Sequence, residues 1–257
     1  MKVRLVFLWS ALLAAPALPV LADAQTDSWI AKARAALGRD HALDAVRTVH
    51  FTGTLETVQQ VPSSADPKVP TDEVLRLGID IVFQKPYQQR IVLRSDKVVE
   101  TTALDGYDGW VRRADATRED QWQLTLLDPG QIKRLRANTW ENLAFYRGIE
   151  QRGGKVEFLG EENSEGKDCV KLRFSHADNI SFLRYFEKNT GVLVKTVTET
   201  GGEIREEGET LINGVRYPKK LVNKTPDGKI TTITFDSIKV NETVPDSEFA
   251  VPALLPK

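Results

Sequence analysis

From Val49 onward the chain alternates apolar and polar residues. "VHFTGTLETVQQV" places Val49, Phe51, Leu55 and Val61 at odd positions, and "VLRLGIDIVF" does the same with Leu75, Leu77, Ile79, Ile81 and Phe83. Successive side chains of a strand point to opposite faces, so this period of two predicts strands with one buried face. "PSSADPKVPTD", residues 62–72, is polar and proline-rich and reads as a long hairpin loop. "YQQRIVLRS" alternates again, with Tyr87, Ile91 and Leu93 on one face. "LDGYDGWVRR", residues 104–113, carries two Asp-Gly pairs and predicts a hairpin bend with Gly106 or Gly109 at positive φ. Trp110 then starts the returning strand, on the apolar side of the sheet.

The period changes twice. In Gln25–Leu37, residues Trp29, Ile30, Ala33, Ala36 and Leu37 form a helical stripe, closed by Gly38. Asp128 and Pro129 suit a helix N-cap and first turn, and Gln131–Arg147 then presents Ile132, Leu135, Leu143 and Tyr146 on one face, with Gly148 as its end. After Gly153-Gly154, seven strands follow, separated by "SEGK", "HADN", "KNTG", "TGGE", "INGV" and "PDGK". Strands so closely spaced leave no room for crossover helices, which excludes a doubly wound parallel sheet. Eleven or twelve strands and two helices predict an α+β fold: a curved antiparallel sheet, half-barrel or barrel, with helices covering its concave face. "EIREEGE" reads as a solvated edge strand. The tail "VPDSEFAVPALLPK" is expected along the sheet edge.

The first residues read as a secretory signal peptide. Lys2 and Arg4 precede an apolar run from Leu5 to Leu21, and Ala22-Asp23-Ala24 supplies a cleavage site before Gln25. The expectation is export to the periplasm, with one domain over residues 25–257. Cleavage removes Lys2, Arg4 and Asp23 from 35 basic and 36 acidic residues, leaving 33 and 35. That balance gives no field for nucleic acid. Cys169 is the lone cysteine, so no intrachain disulfide forms, and its strand context predicts a small buried residue. No cysteine stands at the cleavage site to carry a lipid anchor.

Candidate chemistry is sparse. His41, His50 and His176 lie far apart and match no zinc spacing, and His176, beside a turn, reads as a surface or capping residue. No GxSxG elbow, P-loop or GxGxxG follows a strand, so no catalytic residue, metal or cofactor is assigned. The aromatic residues stand out instead: Phe51, Phe83, Trp110, Trp122, Trp140, Phe145, Phe174, Phe182 and Phe186. They could all be core. A sheet covered by only two helices could also leave a space lined by such residues, suited to a hydrocarbon chain. The strand residues Leu75, Leu77, Ile79, Ile81 and Phe83 and the helix residues Ile132, Leu135, Leu143 and Tyr146 are the candidate walls, with Trp110 near the mouth.

In their order along the chain, "HFTGTLE", "FQKPYQQRI", "ALDGYDGW", "GVRYPKKLV" and "SEFAVP" resemble the periplasmic lipoprotein-sorting carriers of the LolA-like superfamily. The resemblance covers nearly the whole mature chain, although the loop at 62–72 departs from the simplest pattern. It implies a half-barrel with a helical lid and an apolar cavity that carries lipoprotein acyl chains between membranes. The implied partners are lipid or lipoprotein acyl chains and an envelope membrane receptor, met by a monomer without catalysis. No single functional residue transfers from the family. The superfamily also holds sensors and an enzyme, so an envelope sensor or protein-interaction module is the alternative.

Overall fold

The computed structural model describes residues 19–62, 70–118, 120–177 and 179–253. Most of the expected signal peptide and the centre of the loop expected at 62–72 lie outside the described residues. The rest forms one antiparallel sheet of 13 strands. Its first half comprises β1 (Thr48–Pro62), β2 (Pro70–Gln84), β3 (Gln88–Arg94), β4 (Val98–Asp105), β5 (Asp108–Asp115) and β6 (Trp122–Leu126). Its second half comprises β7 (Lys155–Ser164), β8 (Lys167–Ala177), β9 (Ile180–Glu187), β10 (Leu193–Thr198), β11 (Glu203–Ile212), β12 (Val215–Lys224) and β13 (Ile230–Val240).

The chain builds outward from β1 to the edge strand β6, crosses to the opposite edge at β7, and returns strand by strand to β13. There β13 pairs with β1, in register from Val49↔Val240 to Thr57↔Thr231 with one bulge at Thr52/Gly53. The sheet stays open between β6 and β7, which makes it a half-barrel and not a closed barrel. The strand beyond the expected count is β6, only five residues long and too shallowly buried to show a clear alternation.

Three helices accompany the sheet: α1 (Pro19–Leu37), α2 (Asp40–Asp44) and α3 (Pro129–Leu143). α1 begins earlier than its apolar stripe and includes the Ala22-Asp23-Ala24 segment. α3 links the two sheet edges across the concave face, packing on β2 to β5. Its start is a full capping box. Gln131 N–H donates to Asp128 Oδ1 at 2.9 Å, and Asp128 N–H donates to Gln131 Oε1 at 3.0 Å. Four orphan N–H groups open every helix, and this pair satisfies two of them.

The helix ends at Leu143, not at Arg147. Phe145 and Tyr146 take left-handed φ values of 48° and 71°, uncommon for bulky residues. The turn sends both rings back under α3, and buried Arg34 of α1 supports it. Arg34 Nη1 donates to the carbonyls of Ala144 (3.2 Å) and Phe145 (3.0 Å), while its other nitrogens pair with Asp40 and Asp44.

The "DGYDG" bend is a two-residue turn. Gly106 holds φ +63° and Asp105 pairs with Asp108, which is the geometry in which glycine suits the first turn position. Gly109 is in β5 and faces α3: a Cβ there would meet Ile132 Cγ1 at 3.0 Å and Leu127 Cδ1 at 3.1 Å. Trp110 therefore points the opposite way, onto the convex face. It is buried there under the C-terminal segment, where its Nε1 donates to Phe249 O at 2.9 Å. The expectation that Trp110 faces the apolar interior is corrected, and the reason is parity: Gly109 takes the inward position in β5.

Two other expectations change. β11, with its acidic run, lies between β10 and β12 and is not an edge strand. Its outward carboxylates are paired instead: Glu207 with Lys220 at 2.8 Å and Glu209 with Arg216 at 2.7 Å. The tail lies on the convex face rather than along an edge, held by Trp110, by Arg90 to Glu248 and by Gln88 to Asp246.

Candidate functional site: a cavity under the crossing helix

The concave face carries two packed clusters. One joins Leu43, Val49, Phe51, Leu143, Phe145 and Val215; the other joins Ile30, Trp140, Tyr146, Leu172, Phe174 and Phe186. Between them lies a cavity of about 460 Å³. Ligand sites typically measure roughly 300–1,000 Å³ and are lined mostly by apolar groups with a few placed polar ones. This one fits that description. β1, β2 and β3 contribute Phe51, Leu55, Ile79, Ile81, Phe83, Ile91 and Leu93, and β13 adds Ile233 and Phe235. Phe145 and Tyr146 of the left-handed turn close it from above.

Strand register explains the smooth wall. Leu77 pairs with Leu55, Leu55 with Ile233, Ile233 with Leu221 and Leu221 with Glu206, so one row of inward side chains crosses five strands. Of the candidate residues, Ile79, Ile81, Phe83 and Tyr146 line the cavity. Leu75 and Leu77 share their face but lie beyond its wall, half-buried toward the end of the hairpin. Leu143 is buried in the first packed cluster, beside the cavity rather than in it. Leu135 is half-buried on α3, outside the wall, and its carbonyl accepts from Thr139 Oγ1 at 3.0 Å. Ile132 packs at the helix start and lines a separate surface groove with Tyr87, Tyr107 and Arg136. Trp110 lines a convex-face groove. The helix half of the candidate list thus contributes one wall residue, because α3 ends a turn early and Phe145 and Tyr146 do the covering.

The sequence reading missed the polar groups in this cavity. Glu141 and Arg184 both line it, each with less than a tenth of its side chain exposed, and they are ion-paired through Arg184 Nη2. His176 Nε2 meets the other Glu141 oxygen at 2.5 Å. The His176 ring packs edge-on against Trp140 and Phe182, so it is a half-buried partner of Glu141 and not a surface residue. Burial pushes its pKa down to about 4, which keeps it neutral and leaves Nε2–H to donate. Glu206 is exposed and also lines the cavity; desolvation raises its pKa and Arg184 opposes the rise. One signal was available. In "ISFLRYFE", Arg184 shares the face of Ile180, Phe182 and Phe186, so a charge stands in an otherwise apolar row.

Cys169 is fully buried and desolvation raises its pKa, as expected of a strand residue that packs. Among the described residues no group of three or more His, Cys, Asp or Glu is placed to hold a metal ion. Among the described residues no helix is long and apolar enough to cross a membrane.

Neither a protein-family model nor a curated protein matches the chain in sequence. Solved structures do. A LolA superfamily protein from Nitrosomonas europaea superposes with a TM-score of 0.56 at 13% identity, over 88% of this chain and 97% of that one. The chain shares its fold. A DUF1329 family protein from Desulfovibrio piger gives 0.53 at 11% identity, over 88% of this chain and 97% of the other. An outer membrane lipoprotein-sorting protein domain from Vibrio parahaemolyticus, described as putative, gives 0.53 at 8%, over 87% and 97%. The LolA-like half-barrel expected from the sequence is therefore the observed architecture, reached with little sequence in common.

Proposed function

We propose that this protein is a periplasmic carrier that binds acyl chains of lipids or lipoproteins in the cavity under α3, without catalysis. The observation that carries the reading is the cavity itself: an apolar space of about 460 Å³ left between two packed clusters. Burying hydrocarbon stabilises by about 0.8 kcal/mol per methylene, so a long chain binds there without a dense set of polar contacts. The LolA-like fold supports this reading, and the signal-peptide pattern supports the compartment. In this reading the mature chain begins near Gln25, acts as a monomer, and releases its cargo at an envelope membrane receptor.

The test is direct. Protein exported natively is purified, extracted with organic solvent and examined by mass spectrometry for co-purifying lipid. A fluorescent fatty-acid probe is then titrated into the stripped protein. Bound lipid or saturable probe binding is expected. If neither is found, the carrier reading fails, and an envelope interaction module on the same fold takes its place.

A further inference from the structure

Arg184 is the unusual member of the cavity wall. Its side chain is 7% exposed, and α3 reaches only one of its nitrogens: Nη2 donates to Glu141. Among the described residues its Nε and Nη1 have no hydrogen-bond partner. Three rings hold the guanidinium in place, with Phe174 at 4.5 Å, Tyr146 at 5.0 Å and Phe182 at 5.8 Å from its Cζ to the ring centroids. A buried polar group without a partner is costly, and a charged one more so. Few native groups are left this way, so two such nitrogens on one residue in a cavity wall call for an acceptor.

Resting on the carrier reading above, we infer that Arg184 is the polar anchor of the cavity and that its preferred ligand is a long-chain amphiphile ending in a carboxylate. A carboxylate can take a fork of the guanidinium, one oxygen on Nη1 or Nε and the other on the second Nη2 hydrogen, whereas an ester offers a weaker carbonyl without charge. The chain then extends along Phe182 toward Leu55, Ile81 and Phe235. Glu141 fixes the guanidinium and offsets its charge in the empty cavity. Glu206, the other carboxyl facing the space, has its pKa raised by desolvation, which weakens its repulsion of an incoming carboxylate. The fold supplies the hydrocarbon site, and Arg184 sets which end of the ligand lies deep in it.

The experiment compares palmitate with methyl palmitate, which share a chain and differ in the charge of the end group. Each displaces a fluorescent acyl probe from the full-chain protein. Palmitate is expected to compete at least about tenfold better, the discrimination a charge-assisted hydrogen bond supplies. In Glu141→Leu/Arg184→Met, which removes the ion pair as a unit, the two ligands should compete equally, with methyl palmitate little changed. Arg184→Lys is the second variant: it keeps the charge, loses the fork, and should lose most of the preference. Equal competition by the two ligands in the parent, or a preference that survives in the double variant, overturns the inference and leaves the carrier reading standing. If neither ligand competes, or the probe does not bind, both readings fall.

Discussion

Leu143 and Leu55 test the division between packed core and open cavity. Leu143 is 2% exposed and surrounded by Leu43, Val46, Phe51 and Phe145, while Leu55 is half-buried with one side facing the cavity. Leu→Ala in a filled core costs about 2–5 kcal/mol, growing with the void left behind. Leu143 is packed in a cluster built by α2, β1 and the turn after α3, so Leu143→Ala is expected to cost about 3 kcal/mol or more. Leu55→Ala enlarges an existing space and breaks fewer contacts, so its cost should stay below about 1.5 kcal/mol. For a domain of this size each kcal/mol lowers Tm by about 2–4 °C, so the two variants should melt at least about 3–6 °C apart. Urea denaturation with a shared m-value checks that only stability changed. Bulk reverses the order of tolerance: Leu55→Trp should fold and exclude the acyl probe, and Leu143→Trp should be overpacked and destabilised. Equal losses at the two alanine variants, or a folded Leu55→Trp that binds the probe normally, would refute the assignment of an open cavity.

Three further outcomes follow from single contacts. Gly106→Val must adopt a positive φ and should lose about 1–2 kcal/mol in thermal melts, whereas Gly109→Val meets Ile132 and Leu127 and should lose about 1–3 kcal/mol by overpacking; parent-like melting of both variants would contradict the geometry. Phe249→Ala empties a fully buried site over Trp110 and should cost about 3–5 kcal/mol with a red shift of tryptophan emission, so an unchanged spectrum would show that the tail is not docked. His176 is neutral in the fold, with a pKa of about 4 against 6.5 when exposed. The unfolded chain therefore takes up the extra proton first. Stability is full above pH 6.5 and declines toward pH 4, and His176→Gln should flatten that part of a urea-midpoint profile.

The half-barrel was legible because its strands alternate cleanly and its turns are marked by glycine. β2 shows this best: five odd-numbered apolar residues give its inner face without ambiguity. The same rule misplaced Trp110, since the inward position in β5 belongs to Gly109, which leaves no apolar signature. The end of α3 was hidden for a different reason. Phe145 and Tyr146 continue the helical spacing in sequence, and Arg34, over a hundred residues away, supports the turn that interrupts it. Arg184 sat in plain view between two phenylalanines, but its meaning depends on Glu141 from α3, a pairing no local pattern predicts.

The meeting of first and last strands at the middle of the sheet has a consequence for how the chain reaches this state. Every other pair of adjacent sheet strands joins neighbours in sequence, but Val49↔Val240 closes a loop of 191 residues. Each half is a meander of local hairpins and can assemble quickly. The seam cannot, because loop closure over that distance must precede its contacts. Until β13 arrives, β1 has an unpaired edge of nine residues at what will become the centre of the sheet. The nascent protein thus carries its most association-prone edge for as long as synthesis takes. The last strand acts as a zipper, and truncations that remove it should associate through the open β1 edge rather than give a smaller monomer.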